Sequence, residues 1–311
     1  MKSPEPIRID QQTLEETVAH ITPDFSYMAN LCRLDQFPEG TFPWHWHNEA
    51  ELFYVRQGCL EYITPKERCF FDTGDFGFVN AGVLHLTCCD PGKVCIQEEH
   101  IFLPSFIGGG PLSVIDQTYV NPILKAPGLE LLQLKRESPE CSRITELLYH
   151  SWELYTRHPP FFQLDVRTVM TEVWKLLFIA AQARRQETAP GQDAKNHKNS
   201  ERLKAMMAFI AAHYSEKLSL EDIAAAGFVS VRECCRCFKD NLDETPFSYL
   251  TDYRLRKARE LLSRTGLSVT EAGLACGFST VSYFGKVFKD RFGMTPKEFQ
   301  RANDHSSGQP S

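Results

Sequence analysis

Two groups of residues in this sequence combine residue type and spacing in a way that could do chemistry. The first is His45-x-His47-x3-Glu51. Side chains on a strand alternate between faces, so this spacing puts two imidazoles and a carboxylate on one side. Such donors suit a first-row divalent ion. The same inward polar groups equally suit a ligand held by hydrogen bonds alone. The second group is Arg232, Cys235, Arg236 and Lys239, which recur at helical spacing opposite Val231, Cys234, Cys237 and Phe238. A helix with one apolar and one cationic face can sit on a scaffold and offer donors to the major groove, where guanine presents two acceptors to an arginine.

The elements that must carry these groups differ along the chain. From about residue 25 to 95 the sequence reads as short strands, such as residues 51–55, 59–63 and 76–79, separated by turn residues. That texture predicts a small all-β barrel or sandwich. Residues 141–157 and 162–185 carry wide apolar stripes at helical spacing, interrupted by Pro159-Pro160. Those stripes need a partner surface, either the barrel or the same helices of a second subunit. Residues 186–200 hold no large apolar side chain and read as a linker.

The last third is helical and duplicated. At a gapless offset of 50, Glu221 matches Glu271, Ala225 matches Ala275, Gly227-Phe228 matches Gly277-Phe278, and Phe238-Lys239-Asp240 matches Phe288-Lys289-Asp290. In each copy a short helix, a turn at the glycine and a second helix form a helix-turn-helix. Ser230 and Glu233 read as a capping box and Thr280 as the second cap. The second copy buries Val281, Phe284, Val287 and Phe288 and exposes Ser282, Gly285, Lys286 and Lys289. Between the copies, Pro246 to Leu262 forms one long helix with Arg254, Arg256, Lys257 and Arg259 on it. Reading heads about 34 Å apart would enter successive major grooves.

These C-terminal motifs resemble the DNA-binding domain of the AraC/XylS family of transcriptional regulators, over residues 200–303. The stretch from Gly277 to Lys289, continued by Phe292-Gly293-Met294-Thr295-Pro296, carries the resemblance. It implies base-contacting positions at Val231, Arg232, Cys235 and Arg236, and at Val281, Ser282, Gly285 and Lys286. Lys239, Arg254, Lys257 and Lys289 are the expected phosphate-side cations. Ala272-Gly273 replaces the usual Ile-Ala pair, which predicts weaker packing of that helix. The N-terminal segments resemble the two motifs of the cupin barrel, over roughly residues 25–105, from Gly40 to Gly58 and from Gly74 to His85. That resemblance adds His85 to His45, His47 and Glu51 as the ligand set. Asn80 replaces the usual proline, and Cys89 the usual closing asparagine. Trp44 and Trp46 are expected to point away from the histidines.

Together these readings give a multi-domain α+β chain. A cupin-like sensing barrel spans 1–140, a helical dimerisation segment 141–186, a linker 187–200, two helix-turn-helix units 201–303 and a tail 304–311. The expected function is a cytoplasmic, sequence-specific transcriptional regulator, activator or repressor with activator the expectation, and not an enzyme. Its expected partners are double-stranded promoter DNA, a small-molecule effector of sugar-like character, a second copy of itself and RNA polymerase. No cofactor is required, though His45, His47, Glu51 and His85 could hold a divalent metal. Two rivals remain: a metal-dependent cupin enzyme joined to a DNA reader, and a thiol-based redox sensor with Cys235 as its accessible thiol.

Composition is consistent with this reading. The 311 residues are 42% hydrophobic and 24% charged, a folded-protein balance with no membrane-length apolar run. The start, MKSPEPIRID, lacks the apolar core of a signal peptide, and eleven cysteines, an odd number, read as reduced thiols. Cys234 and Cys237 lack the second pair that a zinc site needs. The net charge of −6 argues against DNA until it is located. Residues 201–311 carry 16 Lys+Arg against 14 Asp+Glu, and residues 1–200 carry 18 against 26. The acidity belongs to the barrel part, so the cations of the DNA reader must be placed rather than abundant.

Overall fold

The computed structural model describes residues 8–10, 13–19, 21–22, 24–110, 113–126, 128–187 and 193–306. The chain divides into two compact units, Leu14–Ser200 and Glu201–Ser311 in the main. No helix among the described residues is long and apolar enough to cross a membrane.

The first unit contains strands β1 (Tyr27–Arg33), β2 (Thr41–His45), β3 (Ala50–Gln57), β4 (Cys59–Ile63), β5 (Arg68–Asp72), β6 (Phe76–Val79), β7 (His85–Cys88), β8 (Ile96–Phe102) and β9 (Leu131–Leu134). They form a five-stranded sheet, β1-β8-β3-β6-β9, and a four-stranded sheet, β2-β7-β4-β5, with antiparallel neighbours throughout. Short helices α1 (Ser105–Gly108) and α2 (Asn121–Leu124) precede β9. Two long helices follow, α3 (Pro139–Arg157) and α4 (Phe162–Glu187).

Strand β3 shows why this sheet is buried on both faces. Its even side places Ala50 and Leu52 in one cluster with Ile144, Leu148, Val173 and Trp174 of the two helices. Its odd side places Phe53 and Val55 in a second cluster with Leu60, Tyr62 and Phe71 of the other sheet. A residue-by-residue alternation thus feeds two cores. Glu51 shares the parity of Phe53 and so faces the barrel interior. Phe53 lies stacked on Tyr62 with centroids 4.2 Å apart. A Cβ at Gly77 would stand 2.1 Å from Phe53 Cζ, so the ring needs the missing side chain opposite it.

The apolar stripes of α3 and α4 are therefore covered by the barrel of the same chain. Ser138 caps α3 by accepting from the Cys141 amide, and Pro139 opens it. His158 ends it in the left-handed region at φ 47 before the two prolines. The stretch read as a linker differs from expectation. Residues 188–192 lie outside the described residues, but from Asp193 the chain is helical through His213, as α5. Alanines and lysines there are good helix formers, and polarity alone does not distinguish a solvated helix from a loop.

The second unit continues with α6 (Leu220–Ala226), α7 (Val231–Leu242), α8 (Pro246–Arg264), α9 (Val269–Ala275), α10 (Val281–Phe292) and α11 (Pro296–Ser306). The expected tail is helical to Ser306, and residues 307–311 lie outside the described residues. Ser219 with Asp222 and Ser268 with Glu271 form reciprocal capping boxes at α6 and α9. Thr280 caps α10 as expected. Ser230 caps α7, but Glu233 turns its carboxylate to Arg236 instead of the Ser230 amide.

The repeat is not gapless. The caps of the first helices, Ser219 and Ser268, differ by 49, whereas those of the second, Ser230 and Thr280, differ by 50. The extra residue falls in the turn. Gly277 takes the left-handed position at φ +81, whereas in the first copy Phe228 takes it at φ +53 and Gly227 does not. Phe278 is buried and Phe228 is 93% exposed. The matching Gly-Phe letters therefore occupy different places in the two turns.

Candidate functional site

The barrel interior brings the four expected residues together. His45 ends β2, His47 lies in the connection after it, Glu51 is on β3 and His85 begins β7. Strand parity places Glu51, but His47 is not on a strand. The connection before β3 holds it, through its Nδ1 bond to the Glu49 carbonyl. All four side chains are buried. Each imidazole is anchored through Nδ1 to a backbone carbonyl: His45 to Pro43 at 2.8 Å, His47 to Glu49 at 3.1 Å and His85 to Val83 at 2.9 Å. A carbonyl only accepts, so each Nδ1 carries a proton, and in the neutral ring the lone pair is on Nε2.

Those lone pairs converge. One ring nitrogen from each histidine lies within 4.8 Å of the others. Glu51 Oε2 is 3.5 Å from His47 Nε2 and 3.5 Å from His85 Nε2. His47 Nε2 meets Glu51 only at ion-pair distance and makes no aligned hydrogen bond. A buried polar atom without a well-aligned bond costs free energy. Three imidazoles aimed at one point, each braced from behind by a carbonyl, is the arrangement of metal-ligating histidines. The donor set therefore fits a first-row divalent ion.

Electrostatics around the cluster are strongly coupled. Burial, with His85 and His47 beside it, holds His45 well below the ordinary imidazole value. Burial opposes charge on Glu51, yet the neighbouring His47 and His85 hold its carboxyl far below the usual range. Burial likewise opposes charge on His47, but Glu51, Glu16 and Glu49 hold it above its ordinary value. Tyr62 donates to Glu51 at 2.5 Å, and Gln97 reaches Tyr62 at 3.2 Å and Glu99 beyond it. Burial, then the charge of Glu51, pushes Glu99 up to about 8.

Sequence reasoning missed Glu16. Its Oε2 lies 3.4 Å from His45 Nε2, and burial pushes its carboxyl up to about 7. No local spacing signal points to it, because Glu16 and His45 are far apart along the chain; the bridge between Glu15 and Trp46 delivers it. Trp44 is buried and Trp46 half-buried. Asn80, in the place of a proline, donates through Nδ2 to the Ile123 and Leu129 carbonyls at 3.1 and 3.0 Å and accepts from the Ala81 amide. It ties the turn before His85 to the loop around α2.

In the second unit the apolar side of α7 faces inward through Cys234, Cys237 and Phe238. Arg232, Arg236 and Lys239 are exposed, and Val231 and Cys235 are half-buried. Glu233 pairs with Arg236 at 2.7 Å and with Arg202 at 3.7 Å. Lys239 pairs with Asp243. On α10, Ser282, Lys286 and Lys289 are exposed, and Phe284 and Phe288 are buried. Val281, read from the sequence as buried, is instead 39% exposed. A Cβ at Gly285 would meet open space, so packing within the unit does not demand glycine there. The weaker packing expected from Ala272-Gly273 is made good by Phe284, whose Cδ1 lies 2.8 Å from where a Cβ on Gly273 would be.

Three of the four expected phosphate-side cations are engaged within the fold, Lys239 with Asp243 and two more on α8. Arg254 donates from Nε to the Tyr214 carbonyl and from Nη2 to the Glu216 carbonyl, each at 2.6 Å. Lys257 lies 3.5 Å from Glu260. All eleven cysteines are free thiols. Cys59, not Cys235, is the exposed one, and burial raises Cys234, Cys237 and Cys276 above the ordinary thiol value.

Comparison with known proteins matches both halves. A helix-turn-helix domain family matches residues 223–302, and the cupin domain family matches residues 35–89. The chain is 30% identical over 292 residues to the uncharacterised HTH-type transcriptional regulator YdeC of Bacillus subtilis, covering 94% of this chain and 97% of that one. It is 29% identical over 289 residues to the HTH-type transcriptional activator RhaS of Klebsiella pneumoniae, covering 93% and 98%. Among solved structures it is similar to the DNA-binding domain of AdpA in complex with a target DNA, at 26% identity and TM-score 0.34, covering 36% of this chain and 100% of that one.

Proposed function

Because the chain belongs to the AraC/XylS family of DNA-binding transcriptional regulators and carries a cupin domain, we propose that its barrel interior is the sensing site and that α7 supplies most of its base readout. The observation that carries the sensing role is the convergence of three carbonyl-braced imidazoles on one point beside Glu51. His45, His47, His85 and Glu51 would hold a divalent ion. Bound there, such an ion supplies a Lewis-acid anchor for an oxygen or nitrogen donor of the effector. Tyr62, Gln97 and Glu99 form a hydrogen-bonded chain leading from Glu51, and their mixed donors and acceptors suit a sugar-like, hydroxyl-rich effector. The effector shifts regulation only by binding more tightly to one arrangement of the protein than to another.

On DNA, Arg232 and Arg236 would make bidentate contacts to guanine, Arg236 by exchanging Glu233 for the base, with Val231 and Cys235 beside them. In α10, Val281, Ser282 and Gly285 are short, and Lys286 and Lys289 would reach phosphate, so the second helix-turn-helix would grip more than it reads. Arg254 and Lys257, engaged within the fold, add less to DNA than their charge suggests. The stripes of α3 and α4 being covered, a homodimer would have to use their outer faces, where Tyr149, Leu164 and Ile179 are exposed.

Two measurements test this reading. Arg236→Ala should weaken binding to the cognate operator by about 1–3 kcal/mol and binding to random duplex far less. Equal losses on both would remove Arg236 from base readout. Metal content of the purified full chain, compared with His47→Ala, tests the barrel, and equal content in both would remove the site.

A further inference from the structure

We propose that Glu16 is an additional ligand of the barrel ion, so that metal occupancy fastens the N-terminal segment to the barrel. This rests on the metal reading above and extends it to a residue outside the cupin motifs. The two carboxylates approach the imidazoles from different partners. Glu51 Oε2 lies 3.5 Å from His47 and His85, whereas Glu16 Oε2 lies 3.4 Å from His45 Nε2. Neighbouring ligands on an ion with bonds of about 2.1 Å stand about 3.0–3.6 Å apart in five-coordinate geometry. His45 Nε2 and Glu16 already keep that separation. His47 Nε2, buried beside Glu51 and without an aligned hydrogen bond, belongs to the same histidine cluster.

The segment is built to deliver Glu16 there. The Glu16 amide donates to the Trp46 carbonyl at 2.8 Å, and the Trp46 amide donates to the Leu14 carbonyl at 3.0 Å. These bonds flank Trp46, the residue between His45 and His47. Asn48 holds the neighbouring Glu15 at 2.8 Å. Leu14 is 4% exposed and sits at φ 60, a left-handed position that a leucine adopts only when its surroundings impose it. The Leu14 and Thr17 amides donate to Asp10 and Arg8, within the segment itself. A bond from Glu16 to an ion would add a side-chain tie to the backbone bonds that already join the segment to Trp46.

Binding and closure are then reciprocal. Whatever factor Glu16 adds to metal affinity, the metal must return as a factor in holding the segment closed. The experiment uses the full chain, cobalt(II) as the probe, and wild type beside Glu16→Gln and Glu15→Gln. Cobalt affinity is read from visible absorption, and segment opening from hydrogen exchange at the Glu16 and Trp46 amides. Wild type should bind cobalt at least about ten-fold more tightly than Glu16→Gln, the loss that follows removal even of a ligand's hydrogen-bonded partner. Cobalt should slow exchange at both amides by a similar factor in wild type and Glu15→Gln, and not in Glu16→Gln. Unchanged affinity and unchanged protection in Glu16→Gln overturn Glu16 as a ligand while leaving the histidine site standing. No cobalt binding to wild type overturns the metal reading itself.

Discussion

Arg254→Ala separates a fold-holding arginine from a phosphate-binding one. The side chain reaches back from α8 to the loop after α5 and donates to two carbonyls, Tyr214 and Glu216, each at 2.6 Å. The same loop lies against the second turn, where a Cβ on Gly277 would come within 2.8 Å of the Tyr214 and Ser215 carbonyls. Burial lowers the guanidinium pKa, so the positive charge is kept at a cost that these bonds offset. A charge-assisted hydrogen bond contributes about 1.5–3 kcal/mol, less where solvent reaches it. One of these bonds is partly buried and the other is exposed. Their joint loss should destabilise the second unit by about 2–4 kcal/mol. At an m-value of roughly 1.5 kcal/mol/M this lowers the urea midpoint by about 2 M. All four tryptophans, Trp44, Trp46, Trp152 and Trp174, lie in the first unit. Tryptophan fluorescence therefore reads that unit, and far-ultraviolet circular dichroism is dominated by helices that include the second. Arg254→Ala should move the dichroism transition and leave the fluorescence transition in place. An unmoved dichroism transition, with DNA affinity falling evenly on all sequences, would refute the fold-holding role.

Gly77→Ala should destabilise the first unit by about 1–3 kcal/mol on the fluorescence transition, because its Cβ would collide with Phe53 and force it off Tyr62. Phe228→Gly should leave the dichroism midpoint within about 1 kcal/mol of wild type or raise it. A left-handed position costs a non-glycine residue about 1–2 kcal/mol, and a ring 93% exposed returns little. A larger loss would mean that the ring is packed. In chelator-treated protein, Glu99 keeps its proton to about pH 8 when folded, against an ordinary 4.5 when unfolded. The folded chain then binds more protons between those values, so this group's contribution to stability is full below pH 4.5 and is lost as pH rises through 8. Glu99→Gln should flatten the fall in fluorescence midpoint between about pH 5 and 8; an identical slope in wild type and variant would sink the assignment.

Much of this was legible in the chain. Short strand-like runs between turn residues marked the barrel, 3.6-residue periodicity the long helices, and cap residues such as Thr280 the helix starts, because these signals are local and set by backbone geometry. The exposed Arg232 and Arg236 followed from the same periodicity. Other features depended on contacts between distant residues. Val231 and Val281 share a letter and a repeat position, yet Val281 is exposed because Phe284 and Phe288 already fill the core beneath it. The Gly-Phe pairs match in sequence and differ in conformation because one turn holds an extra residue.

Residue type and spacing were enough to mark the strand-rich and helical parts, the duplicated helix-turn-helix, and His45, His47 and Glu51, while the cupin resemblance supplied His85. Tertiary structure alone decided which polar groups were already satisfied. It committed Arg254 to a carbonyl 40 residues away, tied Glu233 to Arg236, and brought Glu16 to His45 through a backbone pairing with Trp46. Sequence periodicity reports which face a side chain takes on its own element. Whether a charge on that face is free for DNA or metal depends on what the rest of the chain packs beside it, and that is a property of the folded contacts alone.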